Sequence, residues 1–207
     1  MTIFNSIEYA IGRLLINQKG RDKGLFFNGP AFTSTPEPTF TVTSPNCGPS
    51  NSHMDEEYSG YGKDQFPELS WEKPSPNVAE YVLIIEDPDA PLPMPITHGL
   101  FYAIPGDKIL ITHVDLDVLK VKGKEKHLKG GFRLGKNILS SVYGGPKPPL
   151  GHGVHRYFYT LVALKELLDT SKMSPVATKK EIAEAIQGKI IGWGQWIGLF
   201  ERKWESL

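Results

Sequence analysis

The chain has 207 residues, 40% of them hydrophobic and 22% charged, with Lys plus Arg and Asp plus Glu equal at 23 each. That length suits one domain with a sizeable core, and the zero net charge excludes a whole-molecule field built to hold a nucleic-acid backbone. The lone cysteine, Cys47, excludes an intramolecular disulfide and a multi-cysteine zinc site, and it fits a reducing, cytoplasmic setting. Its Ser/Pro/Asn/Gly surroundings read as a loop thiol rather than a nucleophile.

Ile3, Phe4, Ile7, Ala10, Ile11, Leu14 and Leu15 recur at helical spacing, which predicts an amphipathic helix ending near Asn17 to Gly20. Its apolar stripe is expected to dock on the body of the domain or on a second copy as a homodimer, because the polar face lacks the Lys density of a membrane-lying helix. The segment has no basic stretch followed by an uninterrupted apolar run, and Glu8 argues against a presequence. No stretch approaches the roughly 20 apolar residues of a transmembrane segment. Residues 1–24 are therefore expected to be a helix and linker ahead of a domain at 25–207.

Thr39 to Thr43 alternates as a half-buried strand does, and the polar run Ser44 to Gly62 reads as a long surface loop. Tyr81-Val82-Leu83-Ile84-Ile85 is too short for a typical helix and rich in β-formers, so it predicts a buried strand. It leads into Asp87-Pro88-Asp89-Ala90-Pro91, where proline forbids helix and interior strand alike. Leu100 to Ile104 and Tyr157 to Leu164 predict two more buried strands, Ile109 to Val114 a weaker one, and the basic stretch after it a loop. Thr178 and Glu181 form a capping box for a helix carrying Ile182, Ala185 and Ile186. Ile190 to Trp193 and Trp196 to Phe200 predict closing strands. Strands outnumber helices without alternating with them, so the fold class is mostly β, with an antiparallel core and peripheral helices.

Two segments share one design, a strand edge followed or preceded by a proline- and glycine-stiffened loop bearing polar side chains. One is Asp87 to Pro91, continuing to His98; the other runs from Gly144 to Tyr157 and contains His152 and His155. Proline fixes such a loop before any ligand arrives, glycine lets backbone N–H groups approach an anion, and histidine donates hydrogen bonds and gains a proton near neutral pH. Each element also has a plain reading. Asp-Pro-Asp is a good turn sequence, and His155 can cap a strand. Arg156 is expected to be a scaffold residue paired to a loop carboxylate such as Asp87 or Asp89, because strand neighbours point to opposite faces. A zinc site from His98, His152, His155 and an Asp is weighed and set aside, since His152 sits in a glycine-flanked loop with no strand to hold it. No metal and no cofactor is expected, and no nucleophile elbow or phosphate loop is present.

Taken in this order, Asp87-Pro88-Asp89-Ala90-Pro91 with His98, and Gly151-His152-Gly153-Val154-His155-Arg156-Tyr157, resemble the signatures of the phosphatidylethanolamine-binding (Raf-kinase-inhibitor-like) family. The likeness extends from Phe66 to Trp71 and from Gly188 to Arg202, and is nearest the filamentous-fungal branch of the bacterial-type members. It implies a large antiparallel sheet packed on a smaller one, and a pocket for phosphate, carboxylate or a phospholipid headgroup. On that resemblance Asp87, His98 and His155 form the pocket. Pro88, Pro91 and Tyr157 are its walls or loop supports, and Asp89, Gly153 and Arg156 support it. The animal members end in a helix bearing a pocket-lining tyrosine, which nothing after Phe200 matches, so the mouth is expected to be either more open or closed by Trp193, Trp196 or the N-terminal helix.

The resemblance implies three roles. One is a regulatory binder of small anions. A second is an acid–base enzyme on carboxylate-bearing polyketide or maleidride units, with His98, His155 and Asp87 as its catalytic groups. The third is a protein-interaction scaffold or a protease or kinase inhibitor.

Overall fold

The computed structural model describes residues 3–138 and 141–204; the first two residues of the predicted helix and the last three of the predicted domain lie outside them. The strands in chain order are β1 (Val42–Thr43), β2 (Ser52–His53), β3 (Leu69–Trp71), β4 (Glu80–Asp87), β5 (Ile96–Pro105), β6 (Leu110–Ile111), β7 (Val118–Lys122), β8 (Glu125–Leu128), β9 (Arg133–Leu134), β10 (His155–Leu164) and β11 (Ile190–Phe200). The helices are α1 (Ile3–Leu14) and α2 (Lys179–Ala185). An eight-stranded sheet runs β2-β11-β10-β4-β5-β9-β8-β7, antiparallel except for the short β11–β2 pair, and a three-stranded sheet runs β1-β3-β6. Among the described residues no helix is long and apolar enough to cross a membrane.

All eight residues of β4 are buried, and the period of two explains how. Tyr81, Leu83 and Ile85 join Phe101, Tyr157, Tyr159, Leu161 and Trp196 in a core closed by Val42, Leu69, Trp71 and Ile111 of the small sheet. Val82 and Ile84 join Leu100, Tyr102, Val162 and Trp193 in a second core on the opposite face, closed by Phe26, Phe32 and the Ile182/Ile186 stripe of α2. A strand covered on both faces shows a continuous apolar run rather than alternation, which is the pattern of residues 81–85.

Two local predictions change in extent. Only Val42–Thr43 and Leu110–Ile111 pair as strands within the stretches 39–43 and 109–114. The polar run 44–62 is anchored rather than free: Met54, Tyr58 and Ser59 are buried, and the Asn51 and Met54 amides donate to the Ile197 and Leu199 carbonyls. The predicted closing strands are one, β11, with Gly194 leaving room for Phe40 against it.

Glu86 points into the second core, fully buried, where it accepts from the Phe26 amide at 2.7 Å and pairs with Lys179 of α2. Burial pushes its carboxyl up; Lys179 and the Phe26 amide pull it back. Lys179→Ala should therefore cost about 3 kcal/mol in urea unfolding, since it leaves a buried carboxylate without its cation. A loss below about 0.5 kcal/mol would show that the pair behaves as an exposed one.

Candidate functional site

At one end of the large sheet, β4, β5 and β10 bring together the side chains that the two loops flank. His155 opens β10 on the same face as Tyr157, and Arg156 between them points to the other face, where its guanidinium lies 5.4 Å from the centre of the Phe158 ring. Asp87 closes β4. His98 reaches the same place through an irregularity: Ile85 pairs with Gly99 and Glu86 with Thr97, so His98 is an extra residue in β5. A bulge of this kind re-aims a side chain, and here it turns His98 toward Tyr157, with ring centres 5.2 Å apart. Asp87, His98, His152, His155 and Tyr157 are all no more than 6% exposed.

Asp87 organises its own loop, accepting from the Asp89 and Ala90 amides at 2.7 and 3.2 Å through Oδ1. Its Oδ2 faces Nδ1 of His155 at 2.8 Å. The other ring nitrogen of His155 faces Nδ1 of His152 at 2.7 Å, and Nε2 of His152 faces the Leu15 carbonyl at 2.8 Å. Gly151 and Gly153, at φ of +78° and +82°, supply the left-handed backbone that turns His152 inward. This residue, set aside as a loop histidine in the sequence, is fully buried. The positive-φ glycines on either side of it were the available signal.

His98 engages the Gly144 carbonyl through Nδ1 at 2.8 Å, whereas its Nε2 and the Tyr157 hydroxyl are buried without a hydrogen-bond partner among the described residues. The Lys147 backbone lies near enough to the Tyr157 hydroxyl to favour its ionised form slightly, but short of hydrogen-bond geometry. Burial dominates both groups, holding His98 below its usual range and Tyr157 well above its own. Hence His98 is neutral at pH 7. Its Nδ1 must carry the proton that the Gly144 carbonyl accepts, and Nε2 is left as a bare acceptor.

Arg156 pairs with Asp89 through Nε and a terminal nitrogen at 2.8 and 2.7 Å, and with Asp22 at 2.8 and 3.0 Å. The Gly20 amide also donates to Asp89 at 3.1 Å, and the buried Pro88 accepts from the Arg21 amide at 2.9 Å. Pro91 stands half-buried at the outer edge of the loop. Nothing in the local sequence marks Asp22 as the second partner of Arg156. Among the described residues no group of three or more His, Cys, Asp or Glu has metal-holding geometry. Cys47 lies elsewhere, half-buried, its thiol pushed up by burial and so poorly nucleophilic.

The N-terminal segment lies against this site, but not by the face its sequence suggests. Phe4, Ile7, Ile11 and Leu14 are 50–81% exposed. The docked face is instead Glu8, Tyr9 and Gly12. Glu8 accepts from the Leu150 amide at 3.1 Å and from Arg202 at 2.6 Å, Tyr9 packs on Gly151 and Trp204, and a side chain at Gly12 would run into the Leu150 carbonyl. Of the other groups considered for closing the mouth, Trp193 stacks on Phe27 in the second core and Trp196 packs on Tyr159 in the first.

Two packed β-sheets with a buried acid, three histidines and a tyrosine at one end of the larger define a β-sandwich protein with a polar cluster at its sheet end. The chain belongs to the phosphatidylethanolamine-binding protein family, whose profile matches residues 44–201. It is 45% identical over 203 residues to Phomoidride biosynthesis cluster protein B of Talaromyces stipitatus, covering 98% of this chain and 84% of that one. A protein of the same name from Fungal sp. (strain ATCC 74256) is 40% identical, with 98% of each chain covered. The fold is similar to that of a phosphatidylethanolamine-binding protein homologue from Chlamydia trachomatis, with a TM-score of 0.64 at 22% identity, covering 83% of this chain and all of that one.

Proposed function

We propose that the chain binds a small acid, a carboxylate or phosphate free or in a lipid headgroup, at His98 and Tyr157 beside Asp87 and His155, and that it regulates other proteins through that binding. The observation that carries this reading is the pair of buried polar atoms without partners, His98 Nε2 and the Tyr157 hydroxyl. Such atoms are costly unless something completes them. One is a bare acceptor and the other a donor, so the species that satisfies both offers one O–H and one oxygen acceptor, as a carboxylic acid or hydrogen phosphate does. An anion arriving without its proton brings one from solvent to His98. Binding of such an anion, acetate for example, therefore takes up a proton and strengthens as pH falls.

The test follows the histidine ring signals by NMR while acetate, phosphate, phosphoethanolamine or a small dicarboxylate is added. For acetate the expected result is saturation near millimolar, about −4 kcal/mol, with Kd falling by up to about tenfold per pH unit below neutrality. Loss of the response is expected in both His98→Ala and Tyr157→Phe. Acetate saturation that is indifferent to pH, or saturation absent with every acid, sinks the reading.

The names of the two fungal relatives, which assign them to a phomoidride biosynthesis cluster, favour a second reading, in which the same pocket does biosynthetic chemistry. His98 Nε2, neutral and unprotonated, would then serve as the general base, with Tyr157 donating to the oxyanion. A dicarboxylate preference together with turnover would select it.

A further inference from the structure

We propose that His152 is a positioning residue of this pocket, through which the proton held by the Asp87–His155 pair fastens the N-terminal segment over the site. The inference rests on hydrogen-bond geometry and stands whether or not the pocket takes acids.

The argument is a count of protons. Three hydrogen bonds run in series from Asp87 Oδ2 to His155, from His155 to His152, and from His152 to the Leu15 carbonyl. The far end is a carbonyl, which can only accept, so His152 Nε2 must carry a proton. If His152 is neutral, its Nδ1 is then bare and His155 Nε2 must donate to it. An ionised Asp87 also only accepts, so His155 Nδ1 must donate as well. Three bonds need three protons, whereas a carboxylate and two neutral imidazoles hold two. The trio therefore carries one extra proton and is neutral overall. Asp87 is bonded to His155 and not to His152, which places the extra proton on the Asp87–His155 pair. Burial and the neighbouring His155 act in the same direction, holding His152 below its usual range.

When that proton leaves, two protons serve three bonds. If His152 keeps its link to Leu15, its bare Nδ1 faces a bare His155 Nε2 at 2.7 Å. If it turns its proton to His155, the Leu15 carbonyl is abandoned. The remaining arrangement, with His155 giving its one proton to His152, sets a bare Nδ1 against the ionised Asp87 carboxylate at 2.8 Å and gives up the charge-assisted bond, the costliest of the three. In the other two the link between pocket and segment is weakened, while the pH-indifferent contacts of the segment remain. The titratable and charged groups around the trio are His98 on β5, Tyr157 on β10, Lys19, whose Nζ donates to the Val154 carbonyl at 2.8 Å, and the Arg156–Asp89–Asp22 cluster. Glu201 and the Glu8–Arg202 pair lie on the helix side. Lys19 opposes the extra proton and the carboxylates favour it.

The experiment uses the full chain. Ring nitrogen–proton NMR counts the N–H groups on His152 and His155, and amide exchange at Leu150, whose N–H is covered by Glu8, reports whether the segment is docked. Leu161 and Val162 in β10 serve as the reference for global unfolding. The expected result is three ring N–H groups at neutral pH. As pH rises and the third departs, Leu150 exchange corrected for base catalysis should accelerate by about three- to tenfold, the equivalent of one hydrogen bond, with β10 unchanged. Asp87→Asn, whose amide can donate to His155 Nδ1 so that all three links are made without the extra proton, should keep Leu150 protected and remove the pH dependence. His152→Ala should lose protection at every pH. Two ring N–H groups at neutral pH in the wild type, or protection that ignores the departure of the third, or an Asp87→Asn variant with the wild-type pH profile, would each overturn the proposal. Should the acid titrations above fail while Leu150 still follows the proton, the acid-binding reading alone falls.

Discussion

Replacing Asp87 with alanine should lower the thermal midpoint by roughly 6–20 °C, the equivalent of about 3–5 kcal/mol in a domain of this size. Three groups lose a partner at once: the buried His155 ring and the amides of Asp89 and Ala90. Each is inaccessible to water that could replace the carboxylate, so the desolvation cost stays in full. Asp87→Asn should behave differently. Its carbonyl oxygen still accepts from both amides, and its NH2 can donate to His155 Nδ1, leaving His155 with one proton to give to His152. All three links of the chain are then made without an extra proton, and the loss should be nearer 1 kcal/mol. Thermal unfolding followed by circular dichroism separates the two. An Asn variant as damaged as the Ala variant would mean that the charge at Asp87, rather than its hydrogen bonds, holds this end of the sheet. The Asn variant should also release the N-terminal segment from pH control, a second, independent reading of the proton count.

The parts of this fold legible in the sequence were those decided locally. Residues 81–85, 100–104 and 157–164 are apolar runs because both faces of their strands are covered, and composition alone reports that. Thr178 and Glu181 make a capping box within four residues of each other, and it is formed. What depended on distant partners was not legible. The basic stretch read as a loop contains the β7–β8 hairpin, turned at Gly123 with φ +61°. Lysines alternate there with Val118, Leu119 and Val121 because β7 is a sheet edge, where lysine discourages further pairing. The bulge that re-aims His98 exists only as a mismatch between β4 and β5. The face by which α1 docks on its own domain is illegible for the same reason. Periodicity finds an apolar stripe, but what seats the helix is Glu8 meeting Arg202 and Gly12 meeting the Leu150 carbonyl, contacts that span most of the chain.

Arg156→Met should cost about 2–3 kcal/mol at pH 7, and the cost should shrink as the solution is made acid. Methionine keeps apolar cover over Phe158, so the loss isolates the charge. The Asp22 arm is largely exposed and adds little; the Asp89 arm, with its carboxylate nearly buried, carries the effect. Burial by itself would push the Asp89 carboxyl up, but the hydrogen bonds from Arg156 and the Gly20 amide outweigh it and hold the carboxyl below the ordinary value of 3.8. A carboxyl depressed in the folded state contributes stability above its unfolded value and loses it as pH falls through the folded one. In the variant the sign reverses, because an unpaired buried Asp89 is relieved by protonation. Urea unfolding at pH 7, 5 and about 3.5 should therefore show the gap between wild type and variant narrowing at the last step, and a gap constant across all three would remove Asp89 from the account. Gly20 and Arg21 hang on the same loop as Asp89, so this variant also loosens the chain that joins α1 to the domain. Its effect on Leu150 exchange should appear at every pH, which distinguishes a weakened tether from the proton-held contact at His152.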